Sequence, residues 1–239
     1  MIAPIAQEPV IPEFERASEC IRENRQFCFD WFVDNFDREF APRLLEHIEL
    51  TAIAVGIGFA ISFTAALIAY TRGWFETPFA LLAAFLYTIP SLAFFQLMVP
   101  ITGLTVTSAE IALVSYTLLI LFRNTLTGLR EVPEDARVAA RAMGLTQWQL
   151  LRRVELPLAL PAIVAGIRIA TVTTISLATV AAFIGVGGLG QPIFNAIQSG
   201  FKTEFVAAGL LAVLLALVAD ALLVLLQRVL TPWARAQRV

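Results

Sequence analysis

Charged residues divide this chain into long apolar stretches. Residues 50–71, 77–109 and 169–201 carry no Asp, Glu, Lys or Arg, and the last two runs are 33 residues each. A helix crosses a bilayer core with about 20 apolar residues, so runs of this size predict membrane spans. Five are expected, at about 48–70, 77–99, 106–126, 158–184 and 205–227. The run from Thr77 to Ala109 exceeds one span. Pro100, Gly103 and the threonines near its end predict a short loop after Val99, and Ile89-Pro90-Ser91 should kink the span before it. Strands are not expected, because the runs are long and rich in Ala and Leu, whereas closed barrels use short alternating segments. The expected fold class is all-α, a polytopic transmembrane helical bundle.

Composition agrees with the pattern and removes several functions. Of 239 residues, 58% are hydrophobic and 15% charged, where a soluble domain carries about 25% charged. A net charge of −2 offers no basic field for nucleic acid. His47, Cys20 and Cys28 are too few for a His/Cys metal cluster, and no bound metal or cofactor is expected. Lys202 is the one lysine and follows Phe201, so the phosphate-cradling G-x-x-x-x-G-K-[ST] loop is excluded. Any ATP that drives this protein is bound by another chain. No basic region followed by an apolar stretch opens the sequence, so no cleaved signal peptide is expected.

Three segments follow: an acidic, partly amphipathic region at 1–46, a transmembrane domain at 47–230, and a tail at 231–239. The first is interrupted by Pro4, Pro9 and Pro12. Its aromatics Phe27, Trp31, Phe32, Phe36 and Phe40 recur at three- to five-residue spacing, a helical stripe suited to the membrane interface. Packing on the bundle and ligand binding are both compatible with it. Cys20 and Cys28 are able to pair, though not within one continuous helix, where eight residues span about 12 Å.

Arginine counts orient the chain. Five spans gather Arg72, Arg123, Arg130, Arg137, Arg141, Arg152, Arg153, Arg228, Arg235 and Arg238 on one side. The other side has Lys202 and an N-terminal segment whose 11 acidic residues outnumber its five arginines. The expectation is a multi-pass protein of the plasma (inner) membrane, with the N-terminus outside and the C-terminus in the cytoplasm.

The stretch 131–157 is more than a connector. Pro133, Glu134 and Asp135 make a good helix start, Ala136, Ala139, Ala140 and Ala142 form its body, and Gly144 ends it. Thr146 opens a second helix, with Gln149 placed for a capping box. Pro157 leads into the fourth span. A small-residue helix flanked by arginines suits insertion into a partner's groove; a solvated connector is the alternative.

Here the sequence resembles a known family. Ala139-Ala140, Gly144 and Leu156-Pro157 match the spacing of the "EAA" motif of ABC importer permeases, with Val138 where the family usually has Glu. Ile89-Pro90-Ser91-Leu92-Ala93, Arg123-Asn124-Thr125-Leu126-Thr127-Gly128-Leu129 and Gly185-Val186-Gly187-Gly188-Leu189-Gly190 are similar to the osmoprotectant branch, importers of glycine betaine, carnitine, choline and proline. The resemblance covers about 45–230. It implies a type I importer permease fold and a transport subunit that is not itself an enzyme. It also implies two ATP-binding subunits that carry ATP and Mg, a second permease subunit (the same chain or a paralogue), an extracytoplasmic solute-binding protein and the lipid bilayer. By carry-over, Ala139, Ala140 and Gly144 would contact the ATPase, with Leu156-Pro157 setting the return into the membrane and Arg152 and Arg153 near lipid headgroups.

Other positions remain open between two roles. Gly185, Gly187 and Gly190 spell G-x-G-x-x-G, but a membrane span precedes them rather than a βαβ strand, which excludes the dinucleotide fingerprint. Gly187 and Gly188 are candidates for a gate, a binding-protein dock or a structural turn, followed by a short helix at 191–198. Pro90, Ser91 and Thr174 are candidates for a gate or pathway wall. Thr171, Thr173, Ser176 and Thr179 either line a hydrated path or bond to neighbouring helices. Arg168 and Asp220 sit at matching depth on antiparallel spans and should form an ion pair, as a clamp or as part of a conformational switch. The rival functions are a permease for methionine, sulfonate or phosphonate, a self-powered secondary transporter, and a membrane enzyme.

Overall fold

The computed structural model describes residues 19–233; Pro4, Pro9, Pro12, Arg235 and Arg238 lie outside the described residues. Every regular element among the described residues is helical. Two short helices, α1 (Glu19–Arg22) and α2 (Phe29–Asn35), lead through a π-helical turn at Phe36–Phe40 into α3 (Ala41–Thr71). A broken pair follows, α4 (Glu76–Thr88) and α5 (Ser91–Thr102), then α6 (Val106–Arg130). The polar stretch holds α7 (Glu134–Ala142) and α8 (Gln147–Leu150), and a π turn at Leu151–Glu155 joins it to α9 (Leu156–Ala178). A 3₁₀ segment at Thr179–Ile184, α10 (Gly190–Ser199) and α11 (Lys202–Leu230) complete the order.

Four stretches are long and apolar enough to cross a membrane: 29–71, 106–130, 147–184 and 202–230. The second expected span differs from a straight or gently kinked helix over 77–99. Its two halves bend by 99°. Pro90 removes a backbone donor and forces Ile89 out of the helical region, and both residues are extended (ψ 127° and 132°). The carbonyl of Ile89 freed by the break accepts a hydrogen bond from the Tyr116 hydroxyl on α6, which meets the demand that backbone groups at membrane depth be satisfied.

The buried post of the bundle is α6, which packs between α3 and α9, while α9 carries α11. Lipid tails are as apolar as the helices, so helix association depends on close approach of small residues. A Cβ at Gly58 of α3 would strike Thr117 of α6, and one at Gly166 of α9 would lie 2.6 Å from the Asn124 Cβ. At one end Leu50, Phe94, Phe95, Leu113, Ala181 and Ile184 form the largest core. At the other, Leu129, Val132, Leu151, Ala159 and Ile163 close the bundle beneath the polar stretch. α11 by contrast exposes Leu210, Leu214, Leu217, Leu222 and Leu225 along its length.

Cys20 and Cys28 form a disulfide with Cα atoms 5.8 Å apart. The turn between α1 and α2 makes this possible; Asn24 within it adopts φ 47°, a left-handed conformation that Asn tolerates. The aromatic stripe packs on the bundle: Trp31, Phe32, Phe36 and Phe40 surround Ala207 and Ala208 of α11.

Candidate functional site

Local chemistry builds the polar stretch. Pro133 caps α7 from outside, Glu134 and Asp135 occupy its positive end, and Arg141 sits in its last turn. Gly144 follows at φ 79°, the left-handed position at which helices commonly end on glycine. Thr146 and Gln149 form the complete capping box of α8, through a 3.4 Å bond from the Gln149 amide and a 2.9 Å bond from the Thr146 amide. The π turn then absorbs Pro157: a helix that cannot place an N–H at Pro157 widens by one residue, and the Leu156 amide bonds to the Leu151 carbonyl.

What holds α7 to the membrane helices is a buried polar network that the sequence reading did not identify. Glu155 is 4% exposed. Its Oε1 accepts from the Tyr70 hydroxyl at 2.6 Å and from Arg137 Nε at 3.0 Å. Arg137 Nη2 also donates to the Leu129 carbonyl at 2.8 Å and to the Tyr70 oxygen at 3.2 Å, while Nη1 reaches Glu134 at 3.2 Å. Burial opposes the Arg137 charge, but its partners Glu134, Tyr70 and Glu155 outweigh that and raise its pKa. Nearby, Arg130 binds both carboxylate oxygens of Glu76, tying α6 to α4.

The side of α7 away from this network is exposed and apolar. Val138 is 55% exposed, Met143 72% and Trp148 of α8 64%, and Ala139, Ala142 and Gly144 lie in the same open surface. Ala140 is a correction. It is 1% exposed and faces inward, because it lies three residues beyond Arg137 on the same face of the helix. Ala139 and Gly144 are open to a partner; Ala140 is not. Leu156 and Pro157 are half-buried at the start of α9, and Arg152 and Arg153 are exposed.

A second polar centre lies at the opposite end. Gly188 takes φ 67° beside His47. Its amide donates to Glu46 at 2.9 Å, and the Leu189 amide donates to His47 Nδ1 at 3.2 Å. With Nδ1 accepting, Nε2 carries the proton and donates to the Ile175 carbonyl at 2.9 Å. A Cβ at Gly187 would meet the Glu46 carboxylate, which would have to swing away from the Gly188 amide to make room. Gly187 and Gly188 are therefore buried in a pinned turn rather than in a loose gate. The far end of α10 is held as well. Asn24 donates to the Gly200 carbonyl at 2.8 Å and accepts from the Lys202 amide at 3.0 Å, and the Cys28 amide donates to the Thr203 hydroxyl at 3.0 Å. Trp31 meets Phe201 edge-on at 4.8 Å.

The remaining candidates separate. Arg168 and Asp220 form a two-pronged pair, Nε–Oδ1 2.9 Å and Nη2–Oδ2 3.0 Å, half-exposed beside Thr173. Thr174 is 1% exposed and is packed inside the bundle, not on a pathway wall. Thr171 and Thr179 bond back to carbonyls of their own helical path. Thr171 also borders a groove of about 490 Å³ between α3, α9 and α11, lined by Val55, Phe59, Leu215 and Leu222 among others. Pro90 is exposed and Ser91 half-buried at the break. Among the described residues no His, Cys, Asp and Glu side chains cluster in a way that would hold a metal ion.

A family model described as "Binding-protein-dependent transport system inner membrane component" matches residues 53–236. The osmoprotectant import permease protein of Salmonella typhimurium is 42% identical over 197 residues, 80% of this chain and 92% of that protein. The glycine betaine/carnitine/choline transport system permease protein of Bacillus subtilis is 35% identical over 187 residues, 78% of this chain and 85% of that protein. Among solved structures, an inward-facing methionine ABC transporter superposes with a TM-score of 0.71 at 24% identity, covering 80% of this chain and 96% of that one.

Proposed function

Because this chain belongs to the binding-protein-dependent transport system inner membrane component family, we propose that it is the permease subunit of an ATP-driven importer of osmoprotectants, small zwitterionic or quaternary-ammonium solutes. The observation that carries this reading is the rigidly capped α7–α8 element. It presents Val138, Ala139, Ala142, Met143 and Trp148 outward from the arginine-rich end of a membrane bundle. An exposed apolar patch rimmed by charge is a docking surface. The partner it fits is an ATP-binding subunit, since this chain has no phosphate loop of its own. Two such subunits, a second permease subunit and an external solute-binding protein complete the machine. ATP and Mg reside on the partners, and the permease does no bond chemistry.

The solute class rests on the relatives named for osmoprotectant, glycine betaine, carnitine and choline transport. Likeness to the methionine transporter is one of fold. The orientation proposed has the N-terminal segment outside and the α7–α8 element in the cytoplasm; the arginine distribution supports it, as does the Cys20–Cys28 disulfide, a bond that belongs to an oxidising compartment. ATP closure moves α7, and with it the bundle, because partners bind the two states with different affinity.

The test is site-directed crosslinking. A cysteine at Met143 or Trp148, in the cysteine-free background, should crosslink to a co-purified ATP-hydrolysing subunit, with a cysteine at Ala140 as the unreactive control. Reaction at Ala140 but not at Met143, or no ATP-hydrolysing partner at all, would refute the assignment.

A further inference from the structure

The network around Glu155 does more than hold a loop in place. α7 meets the rest of the chain mainly at α8 and at the Leu151–Glu155 turn, so any force on α7 passes through few contacts. Arg137 is the side chain that spans them. Its guanidinium touches the last turn of α6 through the Leu129 carbonyl, the end of α3 through Tyr70 and the turn entering α9 through Glu155. Three membrane helices thus converge on one residue of α7. The bonds are charge-assisted, which makes them the stronger kind, and Glu155 is buried, so losing either ionic partner strands the other. The joint itself is a π turn, a departure from helix geometry frequently found at functional sites.

Resting on the permease reading above, we propose that Arg137, Glu155 and Tyr70 are positioning residues for energy coupling: they convert displacement of α7 by the ATP-binding subunit into movement of α3, α6 and α9. Docking and coupling are then separate jobs of opposite faces of the same helix. The outward face, with Val138 and Met143, binds the ATPase. The inward face, with Arg137, passes on what the ATPase does. Such networks of hydrogen bonds and ion pairs are a physical route for coupling between distant sites.

The separation gives the test. The complex, purified from its native membrane with its ATP-binding and solute-binding subunits, is reconstituted in liposomes. ATP hydrolysis and uptake of labelled glycine betaine are measured in the same vesicles for Glu155→Gln, Tyr70→Phe and Arg137→Lys. Glu155→Gln keeps the shape and an acceptor for Tyr70 but loses the charge, and Tyr70→Phe removes a single hydroxyl, so at least the second is expected to fold. The ATPase should co-purify with the variants at wild-type levels and hydrolyse ATP. Solute imported per ATP should fall at least about fivefold, the lower range of coupling between sites. Hydrolysis and uptake that fall in proportion, or stay unchanged in Tyr70→Phe and Glu155→Gln alike, would overturn the proposal. Failure of the permease reading looks different: the wild-type chain would then carry no ATPase.

Discussion

Breaking the Cys20–Cys28 disulfide should loosen not only the loop it closes but also the α10–α11 corner, some 175 residues away in sequence. The loop docks on that corner through Asn24, which bonds Gly200 and Lys202, and through the Cys28 amide, which bonds Thr203. A crosslink that closes nine residues contributes about 2.5 kcal/mol in the chain-entropy treatment. The free loop must regain that order to redock. At 1.4 kcal/mol per factor of ten, the docked state loses up to about 60-fold in population. Asn24→Ala should act in the same direction, since it removes two hydrogen bonds worth about 1 kcal/mol each and an Asn suited to φ 47°. Hydrogen exchange read by mass spectrometry in lipid nanodiscs measures this directly. The Lys202 and Cys28 amides, bonded to Asn24 and Thr203 respectively, are the reporters, and the central helix α6 is the unaffected control. In Cys20→Ala/Cys28→Ala, peptides covering 20–28 and 199–205 should both exchange about 10- to 60-fold faster. Acceleration confined to 20–28 would show that the loop does not restrain the corner.

Three further outcomes follow from packing. Met143→Glu, at a position 72% exposed, should leave thermal stability within about 0.5 kcal/mol while weakening ATPase binding at least tenfold; Ala140→Glu, at 1% exposure, should instead lower the unfolding temperature and the yield of folded chain, and equal behaviour of the two would contradict the two-faced α7. Gly190→Ala puts a Cβ 2.1 Å from the Thr179 carbonyl oxygen, an overpacking expected to cost about 1–3 kcal/mol; a thermal melt identical to wild type would show the contact to be looser than described. Asp220→Asn leaves Arg168 without its anion and should lower stability in the bilayer, and Arg168→Leu/Asp220→Leu should recover the loss; a single variant as stable as wild type in detergent-free bilayers would mean the pair contributes nothing.

Features set by neighbouring residues were legible in the sequence. The spans follow from apolar runs, and the α7–α8 element from Pro133, Gly144 and the Thr146–Gln149 box, all local chemistry. The Arg168–Asp220 pair is legible from depth alone, because an isolated charge inside a span has few options. Long-range polar contacts were not legible. Glu155 looks like one more charge in an arginine-rich loop, and its bond to Tyr70 crosses 85 residues. His47 and Glu46 meet the Gly187–Leu189 turn across 142 residues, so a turn that reads as mobile from its glycines is pinned. The inward turn of Ala140 shared that origin: a row of alanines does not say which one faces the bundle until Arg137 finds its partner. The break at Pro90 is visible as a kink, but neither its 99° angle nor the Tyr116 hydroxyl that satisfies the Ile89 carbonyl from another helix can be read from local residues.

The most direct test of the whole account is uptake of labelled glycine betaine into liposomes that contain this chain, its co-purified ATP-binding subunit and the solute-binding protein. Accumulation should require ATP on the side where the α7–α8 element lies, and should vanish when either partner is omitted. Accumulation by this chain alone, driven by an ion gradient and indifferent to ATP, would contradict the account and make the protein a self-powered transporter.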